Sequence, residues 1–257
     1  MDQNVENIDN SSWKYIWRHG ALLIIIIFAV AIFAAILFPK IIHFIFFALV
    51  IGITFGYSAV YNKMKKEFFK QFGASIGFTF TDSIDVDSVQ GKLFSIGRDR
   101  SISDVLTGMY QNIHVRIFCY QFIIGSGKSS QTINNTVFEA TFDSSMPDLL
   151  VSSESQIQFL DDCFNDEDVL KLEGDFNKYF KVRAPKGFEV EAYQILSPDV
   201  MVDLIDKARN LNFEFNNNRL YIYVPKVVST KSDMQSMFNL VEYIDSILKH
   251  NISEVHV

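Results

Sequence analysis

The chain has 257 residues, 49% of them hydrophobic and 21% charged, with 25 Phe, 2 Cys and a formal net charge of −7. A disordered chain would be poor in aromatics and rich in charge, and a disulfide scaffold would need many cysteines, so both classes are excluded. Residues 1–62 hold three basic and three acidic residues, whereas residues 63–257 hold 20 basic and 27 acidic ones. That acidic part repels phosphate backbones, so nucleic acid is not an expected partner.

Residues 1–19 form a short N-terminal segment that ends in Trp13, Tyr15, Trp17 and the cations Lys14 and Arg18. From Gly20 to Phe38 the chain is apolar and uncharged. At about 1.5 Å per residue such a run spans roughly 28 Å, close to the hydrocarbon thickness of a bilayer. Ile41 to Val60 is a second run of similar length, interrupted only by His43, and Pro39-Lys40 between them breaks the helix and supplies a polar turn. The pair over 20–60 reads as a transmembrane helical hairpin.

A signal peptide is the rival reading of the first run. It would have an apolar core of about 7–15 residues ending at a small-residue cleavage site. Here the run is longer, Ala29 to Ala31 is buried inside it, and a second run follows at once. A soluble helical hairpin would need a polar face, and neither run has one.

Lysine and arginine flank the runs unequally. Lys14 and Arg18 precede the first, Lys63, Lys65, Lys66 and Lys70 follow the second, and only Lys40 lies between. The excess places both termini in the cytoplasm of a multi-pass membrane protein. Tyr57 and Tyr61 join the three N-terminal aromatics at that same face, as an aromatic belt would.

Small residues recur four apart at Ala31 and Ala35 and at Gly52 and Gly56. Such spacing lets helices approach closely, either within the hairpin or between two copies of it. Lys63, Lys65, Lys66 and Lys70 form a basic segment at the membrane surface that fits anionic headgroups. Met64, Phe68 and Phe72 recur on one helical face, so the second span is expected to run on as a helix to Gly73 or Gly77, joining residues 61–257 without a flexible linker.

Strand signals follow. Val105 to Tyr110 and Ile113 to Ile124 are rich in β-branched and aromatic residues around the turn Gln111-Asn112. Ile113, Val115, Ile117 and Cys119 alternate with His114, Arg116, Phe118 and Tyr120, so the two sets face opposite sides. Thr132 to Phe142 is a third strand after the polar loop Gly125 to Gln131. In that loop Gly127-Lys128-Ser129 imitates the end of a phosphate-binding loop. It lacks the upstream glycine, since position 122 is Phe, and a strand rather than a helix is expected next.

Asp161, Asp162, Asp166, Glu167 and Asp168 lack the spacing and glycine of a calcium loop and read as a solvated linker, with a possible internal break near 152–170. Phe180 to Arg183 and Phe188 to Ile195 read as strands around Pro185-Lys186-Gly187. Ser197-Pro198 reads as a helix cap and first position, with Val200, Val202 or Met201, Leu204, Ile205, Ala208 and Leu211 on its apolar face. Asn216-Asn217-Asn218 reads as the turn of a hairpin between Phe213–Phe215 and Leu220–Val224. Met237, Leu240, Val241, Ile244, Ile247 and Leu248 mark a last amphipathic helix. The expected class is α+β: an N-terminal transmembrane hairpin, then a mainly antiparallel sheet with helices on one face.

No motif for catalysis, cofactor or metal emerges. The five histidines have no metalloprotease spacing, Cys119 and Cys163 form no C-x-x-C, and no nucleophile elbow or dinucleotide fingerprint is present. His114 and Arg116 share a strand face as an anionic ligand would want, although a solvated sheet face is polar without any ligand.

Several stretches resemble a bacterial family of membrane proteins grouped as a domain of unknown function. They are the basic helix Tyr61 to Phe72, the strand pair Asp104 to Ile117, the loop at Gly125 to Lys128, Leu172 to Val182 with Val190 to Pro198, and Leu220 to Pro225. The resemblance implies a bacterial source, two N-terminal transmembrane helices and a cytosolic C-terminal domain, and no activity. The functional expectation is a non-enzymatic adaptor or scaffold that binds a protein partner, or itself, at the inner membrane. Two other classes stay open: an enzyme acting on a membrane-derived or small anionic substrate near His114 and Arg116, and an oligomeric channel or transporter component assembled through Gly52 and Gly56.

Overall fold

A computed structural model describes residues 20–37, 42–153 and 169–255. The Pro39-Lys40 turn, the cations Lys14 and Arg18, and the acidic run 161–168 with Cys163 lie outside the described residues. Two compact units emerge, one made of the described residues up to Ile76 with Ser229–Lys231, the other of Gly77–Val228 with the chain from Ser232 onward.

Among the described residues the first unit holds two helices, α1 (Ala21–Leu37) and α2 (Ile42–Ser75). Among the described residues one helix is long and apolar enough to cross a membrane, over Phe44–Ser75, and α1 is shorter. Its apolar side chains point outward: Phe44 is 77% exposed and Phe55 72%. In water such a surface would drive aggregation, whereas in hydrocarbon it carries no cost. Beyond Val60 the helix continues without a break through Lys63, Lys65, Lys66 and Lys70. Phe68 and Phe72, one turn apart, stack with ring centroids 6.0 Å apart. The helix stops where the sequence suggests: Ile76 N–H donates to the Gly73 carbonyl at 3.2 Å, and Gly77 takes a positive φ of 75° that a side chain would resist.

Among the described residues the second unit holds an antiparallel sheet of seven strands: β1 (Thr79–Ile84), β2 (Arg98–Tyr110), β3 (Ile113–Ile124), β4 (Gln131–Ser153), β5 (Val169–Leu170), β6 (Phe180–Arg183) and β7 (Asn212–Val224). Their order is β1-β2-β3-β4-β6-β5, with β7 along the other side of β4. The β2–β3 turn is the expected one. Gln111 and Asn112 both take positive φ, 47° and 69°, the twist that matches two right-handed strands. β4 is the spine. Its first half pairs with β3, its last residues with β6, and β7 runs beside both halves.

Among the described residues three helices, α3 (Glu189–Ile195), α4 (Pro198–Ala208) and α5 (Lys231–Val255), accompany the sheet. They cover one sheet face. Phe238 of α5 packs against Phe138 and Tyr110, and Leu204 and Val200 of α4 share a small apolar gap of about 20 Å³ with Phe213, Phe215 and Ile244. Ile113, Val115, Ile117 and Cys119 are buried on this face, as their alternation indicates. The opposite face is not simply solvated. Residues 85–96, carrying two short 3-10 turns, cross it as a strap and bury Phe118, Tyr120, Tyr221 and Tyr223 beneath Phe94.

Two local expectations fail. Phe188 to Ile195 is helix rather than strand. Its Ala192 and Leu196 are buried four apart, and Leu196 N–H donates to the Ala192 carbonyl at 2.9 Å, so packing overrides a β-branched pattern. Asn216 to Asn218 is not a hairpin turn either. β7 continues through it, Asn217 takes φ 55°, and the extra residues fall in β4, between Thr141 and Met146. Ser145 Oγ donates to Asn217 Oδ1 at 2.9 Å and Asn218 Nδ2 to the Phe142 carbonyl at 3.3 Å, which ties the irregularity down. Pro198 does open α4, but Ser197 contributes its backbone carbonyl, 2.9 Å from Met201 N, and no side-chain cap.

Candidate functional site

The sheet register decides which polar side chains meet. On the strap-covered face, Arg116 of β3 lies opposite Glu139 of β4, and Glu139 opposite Tyr221 of β7. One pair further out, His114 lies opposite Thr141, and Thr141 opposite Arg219. Arg116 Nε donates to Glu139 Oε2 at 2.6 Å, and Arg219 reaches Oε1 with a nitrogen at 3.2 Å. Glu139 is 4% exposed, so a nearly dry carboxylate holds two guanidiniums from two different strands. Arg116 also lies over the Phe118 ring, 5.8 Å from its centroid. His114 is exposed at the outer end.

Of the two residues singled out for an anionic ligand, Arg116 therefore already has a carboxylate from its own chain. The site as built is a two-arginine, one-glutamate cluster with one surplus positive charge, open toward His114. Sequence reading missed Glu139 and Arg219 because their neighbours are set by register. The one clue in the sequence is a lone Glu in the apolar run Val137-Phe138-Glu139-Ala140.

Removing that carboxylate tests the cluster. Glu139→Ala is expected to destabilise the sheet unit by about 1–3 kcal/mol, less than a fully buried pair because Arg116 and Arg219 stay partly wet. Arg219→Gln should cost under about 1 kcal/mol. Thermal melts of the full chain in detergent, followed by the near-ultraviolet tyrosine signal, check both. Equal losses for the two variants would mean that Arg116 is not the stronger partner.

A second buried carboxylate closes the strap. Glu214 of β7 is 1% exposed. It accepts the backbone N–H of Lys92, that of Leu93 at 3.3 Å, and the Tyr223 hydroxyl at 3.0 Å. Gly91 lets the strap come this near, since a Cβ there would meet both Glu214 oxygens at 3.1 and 3.2 Å. Burial pushes the Glu214 carboxyl above its ordinary range, against the pull of those three donors. Burial likewise raises the Tyr223 hydroxyl well above the usual value and pushes Tyr120 up to about 12. Gln90 N–H donates to the Tyr221 hydroxyl at 3.2 Å, and Arg100 donates to the Phe94 carbonyl at 2.6 Å. These groups pin a loop and present no reactive atom to solvent.

Elsewhere in the sheet unit an open polar cleft of about 390 Å³ lies at the end of α4. Lys207, Arg209, Lys226 and Asp233 line it, and Lys226 and Asp233 pair across 2.8 Å. Tyr243 of α5 donates to Asp203 of α4, which also pairs with Lys207 at 3.0 Å, and both contacts hold the Asp203 carboxyl below its usual range. Among the described residues no group of three His, Cys, Asp or Glu is placed to hold a metal ion. The loop at Gly127 to Ser129 is a 3-10 turn that leads into β4, so no helix follows to cradle phosphate. Apolar side chains are exposed on α3 and α4: Val190 and Val202 are each 66% exposed, with Phe188 and Tyr193 nearly half exposed.

In the first unit, Lys63 and Lys70 are exposed, with Lys65 and Lys66 half-buried. Ala31 is half-buried on α1, which also carries Ala35. Gly52 and Gly56 line a groove between α1 and α2, and a Cβ on either would find nothing within 4 Å.

No family model and no curated protein matches the chain. A solved structure is similar in fold, the crystal structure of the mycobacterial trehalose monomycolate transport factor A, TtfA. It shares 13% sequence identity, at a TM-score of 0.52, over 72% of this chain and 94% of that one. At that identity the likeness is one of architecture, so the chain is an α+β protein of the same general fold as this transport factor.

Proposed function

We propose that this protein is a non-enzymatic adaptor of a bacterial inner membrane, anchored by α1 and α2 as two spans, with both termini and the sheet unit in the cytoplasm. The observation that carries the reading is α2 itself. Its exposed apolar length passes without interruption into a basic, amphipathic segment, and only three residues separate its end at Ser75 from β1 at Thr79. The positive-inside bias supports the orientation. The charged residues of the sheet favour an adaptor over an enzyme. Arg116, Arg219 and Glu139 bind each other, and Glu214 binds the strap, rather than converging on a shared hollow. Exposed Val190 and Val202 supply apolar contact for a protein partner. The likeness in fold to a transport factor supports a membrane transport assembly as the class of partner.

Two measurements test this. A cysteine placed at Lys40 should react with a membrane-impermeant thiol reagent applied from outside intact spheroplasts, while cysteines at residues 5 and 250 should not. Tagged full chain, crosslinked in membranes and purified in mild detergent, should carry a second membrane protein in constant ratio. Val190→Glu with Val202→Glu should remove that partner and leave the fold intact. Recovery of this chain alone from repeated preparations would sink the adaptor reading, and a silent Lys40 position would sink the two-span anchor.

A further inference from the structure

We propose that the groove between α1 and α2 is a lipid site, holding one acyl chain of an anionic lipid drawn from the leaflet next to Lys63. The inference rests on the two-span reading above. The groove is open, with a volume of about 550 Å³, and is lined mainly by apolar and small residues, among them Leu23, Ile24 and Ile27 of α1 and Gly52, Gly56 and Tyr57 of α2. That volume lies within the range of small-molecule sites. Its floor is open, because neither Gly52 nor Gly56 has an atom of α1 where a Cβ would stand. Two helices in hydrocarbon do not leave such a hollow empty, since its walls would forfeit their dispersion contacts. Either an acyl chain or another helix fills it.

Length and charge choose between these occupants. Along α2 the groove runs from Ala48 to Val60. At 1.5 Å per residue that is about 18 Å, close to the roughly 15 Å that one leaflet contributes to the hydrocarbon core. The groove thus follows the depth of one leaflet and ends one helical turn before Lys63, which is exposed. Lys63 to Lys70 holds four lysines against Glu67. All copies of the chain insert in the same direction. A second copy seated in the groove would therefore bring its own Lys63 to the same depth, and the like charges would repel. A lipid with an anionic headgroup brings the opposite charge to that place, with Tyr57 and Tyr61 at the interface beside it.

The test uses the full chain reconstituted in vesicles of phosphatidylglycerol and phosphatidylcholine, with a trace of either lipid carrying a diazirine in its acyl chain. Labelled peptides are mapped after illumination. Expected is labelling concentrated on Leu23–Ile27 and Gly52–Tyr57, about fivefold stronger with the phosphatidylglycerol probe, a preference that Lys63→Gln reduces. Gly52→Leu with Gly56→Leu places side chains in the open floor and should abolish groove labelling. Ile27→Trp fills the groove from the opposite wall, should the glycine variants fail to insert.

Labelling spread evenly over outward residues such as Phe33, Phe44 and Phe55 would overturn the site. So would efficient disulfide formation between copies carrying Gly52→Cys, which would make a second helix the occupant. Carbonate extraction separates the two levels. A chain released from the membrane defeats the two-span reading as well, whereas a chain that stays in the membrane with an unlabelled groove defeats only the lipid site.

Discussion

Glu214→Ala is expected to destabilise the sheet unit by about 3 kcal/mol, because it strands two buried donors and one part-buried donor at about 1–3 kcal/mol each before water relieves any of them. The donors are the N–H groups of Lys92 and Leu93 and the hydroxyl of Tyr223. With the carboxylate gone, the strap loses the anchor of its second 3-10 turn, and Phe94 loses its fixed place among Phe118, Tyr120, Tyr221 and Tyr223. The near-ultraviolet tyrosine signal reports that rearrangement directly. A variant within about 1 kcal/mol of the parent would mean that water replaces the carboxylate at little cost.

The same residue sets a pH dependence. Burial raises the folded-state pKa of Glu214 above the unfolded value. Its contribution to stability is therefore complete below the ordinary glutamate value of about 4.3 and is lost as pH rises through the folded value. Glu214→Gln removes the titration. The advantage of the parent over this variant, measured as the difference in thermal midpoint, should be greatest below about pH 4.3 and shrink as pH rises. A gap that widens toward alkaline pH would reverse the sign assigned to the group.

Gly108→Val should cost about 3 kcal/mol, through overpacking at about 1–3 kcal/mol and the loss of aromatic contacts at about 0.5–1.5 kcal/mol each. Gly108 lies in β2, and Phe78, just before β1, lays its ring across it. A Cβ at Gly108 would fall among the ring atoms, 2.6 Å from Cγ and 2.7 Å from Cε1. The ring cannot retreat freely, because it meets Phe238 edge-on at 5.9 Å, and Phe238 also touches Phe138 and Tyr110. Glycine is needed here for approach and not for an unusual backbone angle. In a double-mutant cycle, Gly108→Ala and Phe78→Ala should couple by about 1 kcal/mol or more, since the smaller side chain frees the space the methyl needs. Simple additivity would show that the clash is relieved elsewhere.

Much of the architecture is written in local patterns. The alternation in Ile113 to Tyr120 sorts the side chains of β3 onto its two faces correctly because a strand sends successive side chains to opposite faces whatever it pairs with. Gln111-Asn112 marks its turn because the pair is polar between two apolar runs and Asn accepts the left-handed backbone. Lys63 to Phe72 is readable as a helix because its apolar side chains recur every fourth position.

Where a neighbour decides, the local pattern misleads. Phe118 and Tyr120 look like the solvated side of a strand, yet a strap from residues 85–96 buries them. Val190 and Ile195 look like strand residues, yet Ala192 and Leu196 find a core only as a helix. Three asparagines look like a turn, yet β4 absorbs the irregularity and β7 runs on.

The sequence by itself determined the long apolar helix, the basic segment after it and the α+β class. Each is a property of contiguous residues, and an apolar stretch of that length flanked by lysines has few physical solutions. The polar clusters belong to the tertiary structure alone. Arg116 meets Glu139 across 23 positions of chain, and Lys92 meets Glu214 across 122. Such partners are chosen by strand register and by the path of the strap, which only the folded sheet defines. The groove beside Gly52 and Gly56 is of the same kind, because glycines four apart state that something can come close but not what does.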